Sequence, residues 1–191
     1  MKYSKTLLIV AAALLFCSFD LPKGWFIAGS KPQLYHMGID PNGGRDGKHA
    51  ATIQGKKKAR GFGTLMQNCW PTKYLGKRVR MSGYLKSVDV KHWAGFWLRV
   101  DQASGPALSF DNMKTGEDRS VKGSTDWKKY DIVLDVPLRA TNLAYGALLV
   151  GKGQIWFDDI TFEVVNDSVP TTVYNNGKMP AEEPVNLDFE N

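Results

Sequence analysis

The stretch R-V-R-M-S-G-Y-L-K, residues 78–86, alternates without a break. Val79, Met81, Gly83 and Leu85 fall on one parity, and Arg78, Arg80, Ser82, Tyr84 and Lys86 on the other. Successive side chains of a strand point to opposite faces, whereas a helix groups residues three and four apart. The pattern therefore predicts a strand with one dry face and one wet face. Y-D-I-V-L-D-V, residues 130–136, repeats it: Tyr130, Ile132, Leu134 and Val136 face one way, Asp131 and Asp135 the other.

Outward from these two runs the chain is read as short strands separated by Gly, Pro, Asn and Asp. They are predicted at 25–28, 49–54, 63–69, 78–87, 95–101, 108–110, 129–136, 143–150 and 154–165. Regularly spaced short strands without helical periodicity predict an all-β antiparallel sandwich or barrel. L-A-Y-G-A-L-L-V, residues 143–150, is apolar on both parities. That implies a central strand covered on both faces, or one that something approaches closely.

Residues 1–18 are read as a signal peptide. M-K-Y-S-K is basic, and the apolar run that follows it, ending at Phe19, is shorter than the roughly 20 residues a membrane helix needs. The chain is therefore expected to be exported to a periplasmic, cell-surface or extracellular location. L-L-F-C, ending at Cys17, is an imperfect lipobox because Phe16 is large. A lipid anchor at Cys17 stays open as an alternative. The sandwich is expected over 19–165, a linker or crossing loop over 166–184, and a terminal strand over 185–191.

The formal net charge is +6. Lys56-Lys57-Lys58-Ala59-Arg60 is read as a solvated loop, and no nucleic-acid partner is expected. Cys69, the second of two cysteines, is read as a small buried hydrophobe.

H-W-A-G-F-W-L-R-V-D, residues 92–101, carries the binding prediction. With Phe96, Leu98 and Val100 facing the core, Trp93, Trp97, Arg99 and Asp101 share the outer face. Indole stacks on the apolar face of a sugar ring while Arg and Asp bond its hydroxyls, as concave sites require. The alternative is a Trp97 buried in a second apolar layer. Asp111, in S-F-D-N-M, is expected to face Arg99 across a hairpin, and Tyr84 and Gln67 to join the same face. The predicted ligand is a saccharide or glycan.

Q-I-W-F-D-D-I-T-F-E, residues 154–163, places Asp158 and Asp159 side by side in an apolar strand, so one must point inward or lie on a bulge. A buried carboxylate needs a partner or a metal. Calcium with Asp46 and its loop carbonyls is one reading, and a hydrogen-bonded corner is the other. Enzyme signatures such as a phosphate loop, His-Glu-x-x-His or Gly-x-Ser-x-Gly do not occur. His36, His49 and His92 are isolated from one another. A carbohydrate-active hydrolase, lyase or isomerase using the same cleft, and an envelope protein-interaction module, are the competing functions.

G-W-F-I-A-G, G-K-H-A-A-T-I, Y-L-G-K-R-V-R-M-S-G-Y-L-K, T-D-W-K-K-Y-D-I-V-L-D-V-P and G-Q-I-W-F-D-D-I-T-F-E occur in that order over residues 24–165. Together they resemble the galactose-binding-like jelly-roll of carbohydrate-binding modules. The resemblance implies a structural Ca²⁺ held by Asp158 or Asp159 and by the Glu of a strand ending in Phe-Glu. Here that strand is displaced to L-D-F-E at the far end, so Glu190 is the implied ligand and the terminal strand is expected to close the sandwich. The 92–101 and 108–113 runs also resemble a bacterial variant found in the C-terminal part of some AraC-type regulators. No helix-turn-helix segment is read in this chain, so DNA binding does not carry over.

Overall fold

The computed structural model describes residues 20–114 and 119–173. The signal-peptide and terminal-strand expectations, with Cys17 and Glu190, lie outside the described residues. Among the described residues nine strands form: β1 (Phe26–Gly29), β2 (Tyr35–Asp40), β3 (Ala50–Gly55), β4 (Phe62–Cys69), β5 (Lys77–Asp101), β6 (Ser109–Asp111), β7 (Val121–Val136), β8 (Asn142–Val150) and β9 (Gln154–Val165). Every pairing is antiparallel. Among the described residues no helix is long and apolar enough to cross a membrane.

β5 organises the molecule. Its first half, around residues 77–88, pairs with β7 on one side and β9 on the other. Its second half, from Trp93 to Asp101, pairs with β8 and β6. One layer therefore runs β7-β5-β9-β3-β2 and the other β1-β4-β8-β5-β6. The sequence predicts two strands here, 78–87 and 95–101. Instead the chain turns the corner without leaving the sheet. Asp89 takes φ 52°, and the register against β7 shifts three times between Leu85 and Ala94. Bulges of this kind let a strand switch sheets at a sandwich corner.

The alternation in residues 78–86 is realised as read. Val79, Met81 and Leu85 are buried in the core, which lies between the layers with Phe96, Leu98, Ile132, Leu134, Leu149 and Ile155. Each such side chain contributes about 1.5–3 kcal/mol by leaving water. Arg78 and Arg80 stay on the outer face, paired to Asp135 and Glu163. β2 is missing from the sequence reading, although Tyr35, Met37 and Ile39 alternate with His36, Gly38 and Asp40. β7 begins at Val121, well before the predicted residue 129.

Residues 166–173 lie against the sandwich. Arg78 donates to the carbonyls of Asp167 and Val169. The Thr172 amide donates to Val133 O at 2.9 Å, and Val173 packs against the core.

Candidate functional site

The outer face of the second layer carries a groove of about 560 Å³. It is built across five neighbouring strands, from Ala28 on β1 to Phe110 on β6. Strands sit about 4.8 Å apart, so the groove extends roughly 19 Å. That length suits an oligomer better than a single small ring.

Its floor follows from pairing. Trp97 stands opposite Gly146 of β8, and Gly146 stands opposite Met66 of β4. The indole Nε1 of Trp97 donates to Thr64 Oγ1 on β4 at 2.8 Å. β8 lies between those two strands, so the indole lies down across it. Small Ala144 packs under the ring, whereas a Cβ at Gly146 would meet the β4 backbone, 2.3 Å from Leu65 O. Thr64 Oγ1 in turn donates to Ala147 O at 2.7 Å, which holds the floor in place.

Trp97 is only 7% exposed and packs with Ala144 and Leu148 in a small second apolar cluster. It is a floor residue and offers little free ring face. The open aromatic surface comes from half-buried Trp93, from Phe62 at 36% exposure and from Phe110 at 46%. Trp93, Trp97 and Arg99 are the predicted site residues that meet in the groove. The two phenylalanines were missed. Phe110 was legible in principle, since the alternation of S-F-D puts it opposite both of its neighbours.

Register explains the residues that do not meet. Asp111 pairs with Leu98, and it is Phe110 that stands opposite Arg99. Asp111 therefore points to the core side, and its placement beside Arg99 is corrected. Its buried carboxylate takes a two-point ion pair from Arg119, at 2.7 and 3.2 Å, and the Met113 amide at 2.9 Å. Gln67 shares the parity of core residue Leu65, so it also leaves the groove; it accepts the hydroxyl of Tyr145. Burial, then nearby Cys69 and Tyr74, push the Tyr145 phenol up to about 12. Tyr84 lies on the first half of β5, in the other layer, where the Arg45 guanidinium stacks 3.3 Å over its ring. Arg99 is held by Asp101 through two hydrogen bonds, at 2.7 and 3.1 Å, and Asp101 also accepts from Asn142.

The Asp158/Asp159 corner is a bulge. Ser82 pairs with Thr161 and Tyr84 with Asp158, which leaves one extra residue on β9, and Asp159 takes φ 53°. Neither aspartate is buried. Asp159 pairs with Arg45. Asp158 accepts the amides of Asp159 at 2.8 Å and Arg45 at 3.4 Å. Asp46 pairs with Lys48 at 3.0 Å, and that lysine beside it holds its carboxyl below the usual range. Among the described residues no group of three or more His, Cys, Asp or Glu side chains is placed to hold a metal. Arg45, Lys48 and backbone amides engage Asp46, Asp158 and Asp159 Oδ2 at this corner, and Glu190, the other implied ligand, lies outside the described residues.

No protein-family model matches the chain. It is 42% identical over 173 residues to an uncharacterised HTH-type transcriptional regulator of Bacillus subtilis, YbfP, a match covering 88% of this chain and 57% of that protein. The chain thus spans just over half the length of that curated relative. Among solved structures it is similar to the CBM22-1 xylan-binding domain of Paenibacillus barcinonensis Xyn10C, with TM-score 0.55 and 15% identity over 78% of this chain and 90% of that one. It is also similar to the enzymatically active domain of tailspike protein 4 of bacteriophage CBA120, with TM-score 0.54 and 10% identity over 75% of this chain and 20% of that one. Two layers joined through β5 and these likenesses agree: the chain has a jelly-roll β-sandwich fold like that of the xylan-binding domain.

Proposed function

We propose that the chain binds a saccharide, as an oligomer, in the groove across the outer face of β1, β4, β8, β5 and β6. The observation that carries this reading is the groove's lining. Aromatic rings stand open along an apolar floor, with Arg99, Asn112, Ser30 and Lys114 as polar groups around them. Apolar platforms with a few placed polar groups are what sugar rings require. The xylan-binding neighbour supports the reading through its fold and the function its name gives.

Glycoside hydrolysis uses two carboxylates flanking the scissile bond. No Asp or Glu is among the described residues that line the groove.

Alanine at Trp93 or Phe110 should weaken oligosaccharide binding about tenfold, or ~1.4 kcal/mol, by removing an exposed aromatic anchor. Titration of the purified chain against neutral oligosaccharides checks this. Unchanged affinity in both variants would contradict it.

The identity to an HTH-type regulator supports a second setting for the same groove, as a sensor of soluble saccharide. A sensor would take soluble oligosaccharides and ignore insoluble polysaccharide, whereas an anchoring module would be pulled down by it.

A further inference from the structure

The loops at one end of the sandwich collect positive charge directly beside the groove. Four segments meet there: 30–34, 56–61, 89–92 and 151–153. Backbone hydrogen bonds tie them together, with the Lys31 amide on Phe62 O, Gly151 on Gly61 O, Lys56 on Leu34 O and Lys91 on Lys152 O. The exposed cations are Lys31, Lys57, Lys58, Arg60, Lys91 and Lys152. Asp89 is the one acid in those segments, 3.8 Å from Lys91.

The same segments border the groove. Ser30 and Phe62 line it, the Phe62 amide donates to Ser30 Oγ at 3.0 Å, and Val150 and Trp93 complete that long edge. Lys114 stands within the groove itself, beside Arg99, whose guanidinium is already paired with Asp101. The segments that carry the cations adjoin that edge through the Lys31–Phe62 and Gly151–Gly61 backbone hydrogen bonds. Charges lining one side of a cleft focus their field into it and raise the local concentration of a counter-charged ligand.

We propose that the groove and this basic rim form a single surface for an acidic polysaccharide, a polymer of uronic acid residues. Its ring faces lie on Trp93, Phe62 and Phe110, and its carboxylates face Lys114 and the rim lysines. The proposal rests on the saccharide reading above. It gives the lysine run at 56–58 a role that its appearance as a solvated loop does not. Nucleic acid is the other polyanion the charge could meet. The groove favours the glycan because the cations flank a shallow apolar lane whose deepest ring, Trp97, is buried and held by Thr64, which leaves no slot for an inserted base.

The test compares an oligogalacturonate, a neutral xylo-oligosaccharide and single-stranded DNA as titrants of the full chain, at low and raised salt. Two variants are used: Trp93→Ala, and the triple change Lys57→Ala, Lys58→Ala, Arg60→Ala. The expected result is tighter binding of the oligogalacturonate than of the neutral chain, weakened by salt as exposed charges are screened. The triple variant should lose about tenfold for the acidic ligand, from three exposed ion pairs, and keep its neutral binding. Trp93→Ala should weaken both saccharides. Equal affinity for acidic and neutral chains, or an unaffected triple variant, overturns the acidic assignment and leaves the groove reading standing. Tighter binding of the DNA, lost in the triple variant, overturns it in favour of nucleic acid. Binding of neither saccharide, or indifference of both to Trp93→Ala, overturns the groove reading and this proposal with it.

Discussion

A Cβ added at Gly83 would sit 2.7 Å from Cζ of Phe96 and 3.2 Å from Ile160. Gly83 shares the core parity of Val79, Met81 and Leu85, so its missing side chain is the space that Phe96 fills. Gly83→Ala should therefore destabilise the fold by about 1–3 kcal/mol through overpacking, measured by denaturant unfolding. An unchanged midpoint would show that the ring can move aside. Tyr145 makes a second prediction from burial. Its phenol, ordinarily near 10.0, is pushed up to about 12, and burial raises Tyr35 as well. The folded chain then keeps protons that the unfolded chain releases. That contribution to stability is complete below pH 10 and is lost as the pH climbs from 10 towards 12. Thermal unfolding across this range should show the fall, and Tyr145→Phe should reduce it. A melting temperature as steep with pH in the variant as in the wild type would contradict the assignment to Tyr145. Neither effect is legible in the sequence, where Gly83 reads only as a small residue on the dry face and Tyr145 as one of a run of apolar residues.

At the scale of elements, β6 and the segment after β9 are held by Arg119. Its guanidinium pairs with buried Asp111 and also donates to the carbonyls of Thr172 and Asp131. It joins three parts of the chain that are far apart in sequence. Arg119→Ala would strand a carboxylate that is 4% exposed, and should cost about 3 kcal/mol of stability. Asp111→Asn should leave saccharide affinity unchanged in the folded fraction, because the side chain points away from the groove. A loss of affinity there would restore the placement the sequence suggests. What misled the sequence reading was a single step of register. The sequence suggests Asp111 as the hairpin partner of Arg99 and the structure has Phe110 there, and one residue's slip moves every side chain to the other face. The corner in β5 was illegible for a different reason. Asp89, Lys91 and His92 look like loop residues, yet a bulged strand carries them at the edge between layers, where their side chains reach water.

For the whole molecule, the alternating runs at 78–86 and 130–136 were enough to define an antiparallel sandwich, because each demands one dry and one wet face. The doubly apolar 143–150 also reads correctly. β8 is central, with one face in the core and the other beneath the Trp97 indole. The groove was legible only along one strand. Trp93, Trp97 and Arg99 share the parity of β5, whereas Phe62 and Phe110 reach the site through strand order, which a single sequence does not display. Tyr84 fell to the other layer because β5 changes sheets between it and Trp93.

That difference separates the structural account from the sequence reading in one experiment. Calorimetric titration with a saccharide that the wild-type chain binds would compare Trp93→Ala, Phe110→Ala and Tyr84→Ala. The groove account predicts affinity lowered about tenfold in the first two and unchanged in the third. Full affinity in Trp93→Ala and Phe110→Ala, with loss confined to Tyr84→Ala, would place the ligand on the other layer and contradict it.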